Sequence, residues 1–107
     1  MRRTTRFFKA LSDRNRLRIL WLLFRKGDAT SSEIHCALGI SEFRTEGHIT
    51  YLLNAGVITS QPDLEGARYR VMQQTDPFRR ATLEGLRCRL GESEDSRHLD
   101  KFLDEER

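Results

Sequence analysis

The sequence predicts a mainly α-helical fold that carries one small β-hairpin. Two observations support this prediction: apolar residues recur at helical spacing through most of the first 60 positions, and a stretch near residue 70 alternates apolar and polar residues with period two, as a strand does. With 107 residues, of which 37% are hydrophobic, the chain has enough apolar material for one modest core. We therefore expect a single compact domain.

The first two predicted helices form the scaffold. The first covers residues 5–11, and its apolar positions are Phe7, Phe8 and Leu11. Ser12 is a suitable N-cap for the second helix, with Asp13 favourable in its first turn, and Gly27 ends that helix. Because apolar residues occupy nearly every face of the second helix, we expect it to lie in the middle of the fold.

The stretch 30–58 predicts a helix, a short turn and another helix. Thr30 and Glu33 form a T-x-x-E capping box, which is typical of a helix start. A glycine follows each of the two helices, and Ser41 caps the second one. Two helices separated by a short glycine turn form a helix-turn-helix.

Residues 57–61 and 67–71 predict two strands, joined by a hairpin loop at 62–66. The alternation in the second strand places Arg68 and Arg70 together on the solvent side. A β-hairpin directly after a helix-turn-helix is a wing. The predicted architecture is therefore a winged helix-turn-helix with the order α1-α2-α3-α4-β-hairpin-α5.

A last helix is predicted from Asp76-Pro77, an N-cap followed by proline at the first helical position. We assign residues 1–90 to the winged helix-turn-helix domain, including its first and last helices, and residues 91–107 to an acidic C-terminal tail with a candidate short helix. The domain carries 16 basic and 9 acidic groups, whereas the tail carries 3 and 7. A basic body of this kind suits a polyanionic partner.

Several short motifs occur in order along residues 7–90. They are FKALSD at 8–13, RLRIL at 16–20, EI at 33–34, LGIS at 38–41, GHI at 47–49 with Leu52, and AGVI at 55–58. This series resembles the ArsR/SmtB family of dimeric bacterial and archaeal repressors. The resemblance implies a winged helix-turn-helix repressor that binds double-stranded DNA as a homodimer.

The sequence departs from the metal-sensing members of that family. Where those members carry Cys-x-Cys at the start of the helix-turn-helix, this chain has Thr30 and Ser32, whose hydroxyls are poor ligands for soft metals. Asp76, His98 and Asp100 do not reproduce the spacing of the zinc and nickel sites found on the last helix of other members. We therefore expect no metal site and no cofactor, and the sequence identifies no effector.

The two cysteines, Cys36 and Cys88, lie 52 positions apart and match neither a disulfide framework nor a zinc-finger spacing. We expect both thiols to be buried as small apolar side chains. Family members that sense persulfides use two cysteines; Cys88 lies near one of those positions, but Trp21 stands at the other. Both cysteines stay redox candidates, and a thiol-responsive repressor is one alternative function.

The predicted DNA contacts lie on the second helix of the helix-turn-helix and on the wing. The first two turns of that helix would enter the major groove and present Glu42, Phe43, Arg44, Glu46 and His48. Arg44 is the strongest candidate, because a guanidinium can bind guanine or a phosphate through two hydrogen bonds. His48 has an alternative role, bonding to the backbone of the protein itself. Phosphate contacts are expected from Ser31, Ser32, Arg68 and Arg70.

Dimerisation is expected to use apolar residues of the first and last helices. They are Phe7, Phe8, Leu11, Phe78, Leu83, Leu86 and Leu90. Two-fold symmetry of such a dimer implies a palindromic operator with half-sites about 10 bp apart.

Other protein classes are disfavoured by what the sequence lacks. No apolar run reaches the roughly 18 residues that cross a bilayer, and we expect a cytoplasmic protein without membrane contact. No catalytic or phosphate-binding motif accompanies the three histidines, so we expect no enzyme. The competing hypothesis is a winged helix used for protein–protein contact, because Glu42 and Glu46 disfavour DNA.

Overall fold

The computed structural model describes residues 2–91. Its elements, in chain order, are α1 (Arg2–Ala10), α2 (Arg14–Lys26), β1 (Ala29–Thr30), α3 (Ser31–Leu38), α4 (Glu42–Asn54), β2 (Ile58–Asp63), β3 (Gly66–Val71) and α5 (Pro77–Leu90). This order confirms the predicted fold class. The predicted tail at 91–107 lies outside the described residues except for Gly91, the C-cap of α5. Within residues 2–91, no helix is both long and apolar enough to cross a membrane.

The core is built around α2. Five consecutive residues of this helix are buried: Ile19, Leu20, Trp21, Leu22 and Leu23. Because five successive positions cover the whole circumference of a helix, α2 must be enclosed on every side. The enclosing side chains include Phe7 of α1, Ile34 of α3, Ile49 and Leu52 of α4, and Leu83 of α5. The predicted central position of the second helix is therefore confirmed.

The sheet has three antiparallel strands in the order β1-β3-β2. β1 pairs with β3 through Ala29 opposite Tyr69 and Thr30 opposite Arg68. The sequence did not reveal β1, because two residues are too few to show an alternating pattern. This short strand makes β3 central and ties the wing, formed by β2 and β3, to the start of α3.

The hairpin is longer than predicted. β2 continues to Asp63 and β3 begins at Gly66, which leaves Leu64 and Glu65 as the turn instead of a five-residue loop. Pro62 lies within β2, opposite Ala67. A proline is tolerated there because β2 is an edge strand and one side of it needs no hydrogen bonds.

The start of α2 differs from the prediction by one residue. Asp13, not Ser12, is the N-cap, and its Oδ1 accepts hydrogen bonds from the backbone N–H groups of Asn15 at 2.9 Å and Arg16 at 3.1 Å. The hydroxyl of Ser12 instead donates to the carbonyl of Lys9 at 2.7 Å, at the end of α1. α1 itself begins at Arg2, earlier than the predicted residue 5, because the polar residues there continue the helix along its exposed side.

The cap of α2 leads to a stability prediction. Burial raises the pKa of Asp13, but the hydrogen bonds from Arg16 and Asn15 and the charges of Arg16 and His48 outweigh burial, so the pKa lies below its ordinary value of 3.8. We expect Asp13→Ala to lower the free energy of unfolding by about 0.5–2 kcal/mol at neutral pH. The difference from wild type should shrink as the pH falls through the lowered pKa, because protonation removes the same interaction from the wild type.

Denaturant titrations at pH 7 and near pH 3 measure this effect. Asp13→Asn is the matched control: an asparagine caps a helix without a charge, so this variant should lose less stability at pH 7. Equal stability of Asp13→Ala and wild type at pH 7 would contradict the assignment.

Candidate nucleic-acid interface

The boundaries of the helix-turn-helix are set by local hydrogen bonds, as predicted. Thr30 Oγ1 accepts the backbone N–H of Glu33 at 3.2 Å, which caps α3. Gly39 follows α3 with φ of 70°, a left-handed conformation that favours glycine. Ser41 Oγ accepts the N–H of Arg44 at 3.1 Å and caps α4. These caps fix where α4 begins and so which of its side chains face outward.

The outer face of α4 carries four of the five predicted base-contacting residues. Glu42, Phe43, Arg44 and Glu46 are all exposed. Phe43 has 88% of its side-chain surface accessible, an unusual exposure for a phenyl ring in a folded domain. This face carries mixed charge. Within residues 2–91, none of these four side chains forms a hydrogen bond or an ion pair that would compete with a ligand.

Thr45 anchors the opposite, inner side of α4 and so leaves this face exposed. It is fully buried between the exposed Arg44 and Glu46, and its hydroxyl donates to the carbonyl of Ser41 at 2.9 Å. The hydroxyl is thereby satisfied, which allows the methyl group to pack in the core with Ile49. Sequence reasoning missed this role, because an isolated threonine in a polar stretch is usually exposed.

His48 turns inward instead of joining the exposed face. Its Nδ1 lies 3.5 Å from Arg16 Nη1 and 3.9 Å from Asp13 Oδ1, and 16% of its side chain is accessible. Burial lowers the pKa of His48 below 6.5; the carboxylate of Asp13 opposes this change, while the charges of Arg16 and Arg44 add to it. His48 therefore joins α4 to the start of α2, a role that differs from the predicted contact with bases and from the backbone alternative.

Two arginines of α2 bind the ends of other helices, a role that no local pattern around either residue predicts. Arg16 donates through Nε to the carbonyl of Ala10 at 2.9 Å, and its guanidinium carbon lies 4.1 Å from the centroid of the Tyr51 ring. Arg18 Nη2 donates to the carbonyl of Leu38 at 3.1 Å. Carbonyls at helix C-termini lack partners within the helix, so these guanidinium groups satisfy them. α2 thereby holds α1, α3 and α4 at fixed positions.

The two arginines of the wing differ in their surroundings. Arg70 is exposed, and among the described residues its guanidinium donates to the side chain of Gln61 alone, at 3.2 Å. Arg68 is surrounded by the carboxylates of Asp28, Glu33 and Asp63. The sequence predicted both arginines on the solvent side; Arg68 is only partly exposed there, and carboxylates distant in sequence pair with its guanidinium.

The N-terminus of α3 presents the two predicted serines. Ser32 is exposed and Ser31 is half-buried, and both lie in the first turn, where backbone N–H groups point outward. Glu33 lies in the same turn, and its carboxylate forms an ion pair with Lys26. The structure thus brings an N-terminal turn, the outer face of α4 and the wing together on one domain.

Comparison with known proteins identifies one sequence relative of this chain. No protein-family model matches the sequence. The chain is 38% identical over 68 residues to a probable mercury resistance operon repressor of Streptomyces lividans, and the match covers 64% of this chain. It covers 54% of the relative, so the chain spans about half of that protein's length.

Three solved structures share the fold. HlyU from Vibrio cholerae superposes with a TM-score of 0.68 at 22% identity, covering 82% of this chain and 90% of HlyU. Reduced HlyU from the same organism gives 0.69 at 21% identity, covering 85% and 90%. HlyU from Vibrio vulnificus gives 0.64 at 20% identity, covering 79% and 84%. This chain has a winged helix-turn-helix fold. The relative from Streptomyces lividans is described as a probable repressor, and the solved structures show the fold.

In this winged helix-turn-helix, the residues predicted for dimerisation fall into three groups. Phe7 is fully buried and Leu83 is 6% accessible, so both belong to the core of the protomer and their prediction as dimer contacts is wrong. Leu11, Leu86 and Leu90 are half-buried against that core. Phe8 and Phe78 are 38% and 62% accessible, and their ring centroids lie 5.9 Å apart. An exposed aromatic pair thus links α1 to α5.

The cysteines of the winged helix-turn-helix are both exposed and unpaired, Cys36 on α3 and Cys88 on α5. The expectation that they are buried apolar residues is wrong. They occupy the outward faces of helices that contribute other side chains to the core. In residues 2–91, no three His, Cys, Asp or Glu side chains are grouped so as to hold a metal ion.

The half-buried His48 gives a prediction for pH dependence. Its pKa in the folded state lies below the ordinary 6.5, so the unfolded chain binds more protons between these two values. The free energy of unfolding contributed by His48 should therefore be present above pH 6.5 and decrease as the pH falls. His48→Gln should remove this decrease between about pH 7 and pH 5. Chemical denaturation at several pH values measures it, with His35→Gln as the control, and an unchanged pH profile would contradict the burial of the imidazole.

Proposed function

We propose that this protein is a transcriptional regulator, acting as a repressor, that binds specific double-stranded DNA sequences as a homodimer in the cytoplasm. The observation that carries the proposal is the outer face of α4, where four exposed side chains project from a helix fixed by Ser41 and Thr45. The relative from Streptomyces is named as a repressor, and the structural neighbours are regulators, which supports a regulatory and non-enzymatic role.

The α4 face offers distinct chemical contacts to three of the four bases. Arg44 can donate two hydrogen bonds to guanine O6 and N7, and the phenyl ring of Phe43 can contact a thymine methyl group. Glu42 and Glu46 can accept hydrogen bonds from the amino group of cytosine N4. Recognition of each favourable base pair should contribute about 1–3 kcal/mol of discrimination.

Phosphate contacts would position this face in the major groove. Arg70 carries an exposed guanidinium on the wing, and the first turn of α3 offers outward N–H groups with the hydroxyl of Ser32. The N-terminus of a helix attracts anions through those N–H groups and the helix dipole. These contacts carry no sequence information, but they fix the register of α4 on the duplex.

The homodimer would form through Phe8 and Phe78. Exposed phenyl rings on two adjacent helices are costly to keep in water, and burying them against a second copy removes that cost. A two-fold axis through this surface pairs two α4 helices, which would read two half-sites about one helical turn apart.

The roles of Arg44 and Arg70 should differ measurably. Arg44→Ala should weaken binding by about 1–3 kcal/mol and relax the sequence preference at one position, whereas Arg70→Ala should weaken all sequences alike and reduce the slope of log K against log salt by about one. Duplexes selected from a random pool by the wild type provide the binding sequence, and mobility shifts at two salt concentrations measure both effects.

Both variants are tested on the selected duplex and on a scrambled duplex. Each variant then serves as the control for the other variant. If Arg44→Ala matches the wild type on both duplexes, the major-groove assignment fails. If the wild type binds no duplex, or binds with no salt dependence, the protein–protein interaction alternative replaces DNA binding.

The dimer surface leads to a separate prediction. Phe78→Glu should place a carboxylate in the interface and convert the dimer to a monomer at micromolar concentration, because an unpaired charge is costly to bury. Light scattering coupled to size exclusion measures the mass. Leu64→Glu makes a comparable change at the exposed turn of the wing and should leave the dimer intact. A wild-type protein that is monomeric at this concentration would overturn the dimer.

A further inference from the structure

The guanidinium of Arg68 contacts carboxylates from three separate segments. Nη2 and Nε lie 2.9 Å and 3.0 Å from Asp28 Oδ1, in the connection between α2 and β1. Nη2 lies 3.2 Å from Glu33 Oε1 of α3, and Nη1 lies 3.4 Å from Asp63 Oδ2 at the end of β2. We call Arg68 and these three acids the Arg68 cluster. The hydrogen bond that Arg68 donates to Asp28 contributes most to raising the pKa of Arg68 above its ordinary value.

The cluster leaves Arg68 with no surplus charge for a phosphate. Three carboxylates surround it, and the second nearby cation, Lys26, pairs with Glu33. Two positive and three negative groups give a local charge of −1, so a phosphate approaching this point would be repelled. Arg70, two residues further along β3, has an amide and no carboxylate as its partner.

The cluster lies where the wing joins the rest of the domain. β2 and β3 pair along six positions, so the hairpin is well held within itself. β1 joins it to the helix-turn-helix through two pairs only, and one of them sets Arg68 opposite Thr30, the N-cap of α3. The base of the hairpin is held separately, by the hydrogen bond from Met72 N–H to the carbonyl of Val57 at 2.9 Å. On the side towards α3, the cluster adds side-chain contacts to that two-pair ladder.

We propose that Arg68 is a positioning residue that fixes the wing against the N-terminus of α3, so that Arg70 and α4 meet one DNA duplex together. The inference rests on the proposed DNA binding and replaces the predicted phosphate contact of Arg68 with a different role. A wing and a reading helix that contact the same duplex must hold a fixed mutual distance, because misplacement of either one costs the contacts of the other. The multiple donors of a guanidinium suit it to bridging several carboxylates, which a lysine ammonium does less well.

The two roles predict opposite effects for Asp28→Asn. If Arg68 were a phosphate ligand, removing its main carboxylate partner would free its charge and strengthen binding. If Arg68 positions the wing, the same change loosens the cluster and weakens binding, although the protein becomes more positive. We expect a loss of about tenfold, comparable to the loss of one charge-assisted hydrogen bond.

The experiment measures affinity of the full chain for the duplex selected by the wild type, at two salt concentrations. Asp28→Asn and Arg68→Gln should each weaken binding with an unchanged salt slope, and Arg68→Lys should not restore it. The double variant should bind no worse than Arg68→Gln alone, because both changes break one cluster. As the matched control, Arg70→Gln should reduce the salt slope by about one, and Arg70→Lys should restore it.

Tighter or unchanged binding by Asp28→Asn overturns the proposal, as does a reduced salt slope of Arg68→Gln that Arg68→Lys restores. Circular dichroism verifies that each variant folds. Asp63→Asn, which removes only the longest contact at 3.4 Å, provides a milder test with the same sign if Asp28→Asn does not fold. The wild-type result distinguishes failure of the proposed DNA binding from failure of the positioning role. If the wild type binds no duplex, the proposed function fails. If the wild type binds and Asp28→Asn binds equally well, only the positioning role of Arg68 fails.

Discussion

The enclosure of α2 is the constraint on which the other elements depend. Its buried residues face all directions, and α3, α4, α5 and the sheet all pack against it. Apolar contact alone leaves helices free to slide, because it has no direction. Arg16 and Arg18 add that direction, since each donates to a carbonyl at the end of a neighbouring helix. The position of the candidate interface is thus set from the core outward.

Specific polar contacts also define an inner and an outer face of α4. Thr45 and His48 are polar residues placed on the inner face, and each has a defined partner there: the carbonyl of Ser41 for Thr45, and the region between Asp13 and Arg16 for His48. Buried polar groups with specific partners fix the rotation of a helix more tightly than apolar groups do. The exposure of Arg44 and its neighbours follows from these two inner contacts.

Short sequence motifs predicted the features that depend on interactions between neighbouring residues, such as helix caps. The caps at Thr30, Ser41 and Asp76 involve partners three residues away, and all three were predicted. The environment of Arg68 depends on Asp28 and Glu33, which lie 40 and 35 positions away, so periodicity placed Arg68 on the correct strand but missed its neutralisation. The exposure of both cysteines and the two-residue β1 likewise follow from packing between distant segments.

In the proposed role, the mixed charge of the α4 surface affects how strongly the protein binds non-specific DNA. Glu42 and Glu46 repel the backbone of every duplex, and only amino groups of bases in the major groove, such as cytosine N4, offset that repulsion. Such a surface sacrifices overall affinity but reduces occupancy of the very large number of unrelated sites with which an operator competes. Fewer molecules would then be held on irrelevant DNA, and a modest number of copies would suffice to keep an operator filled.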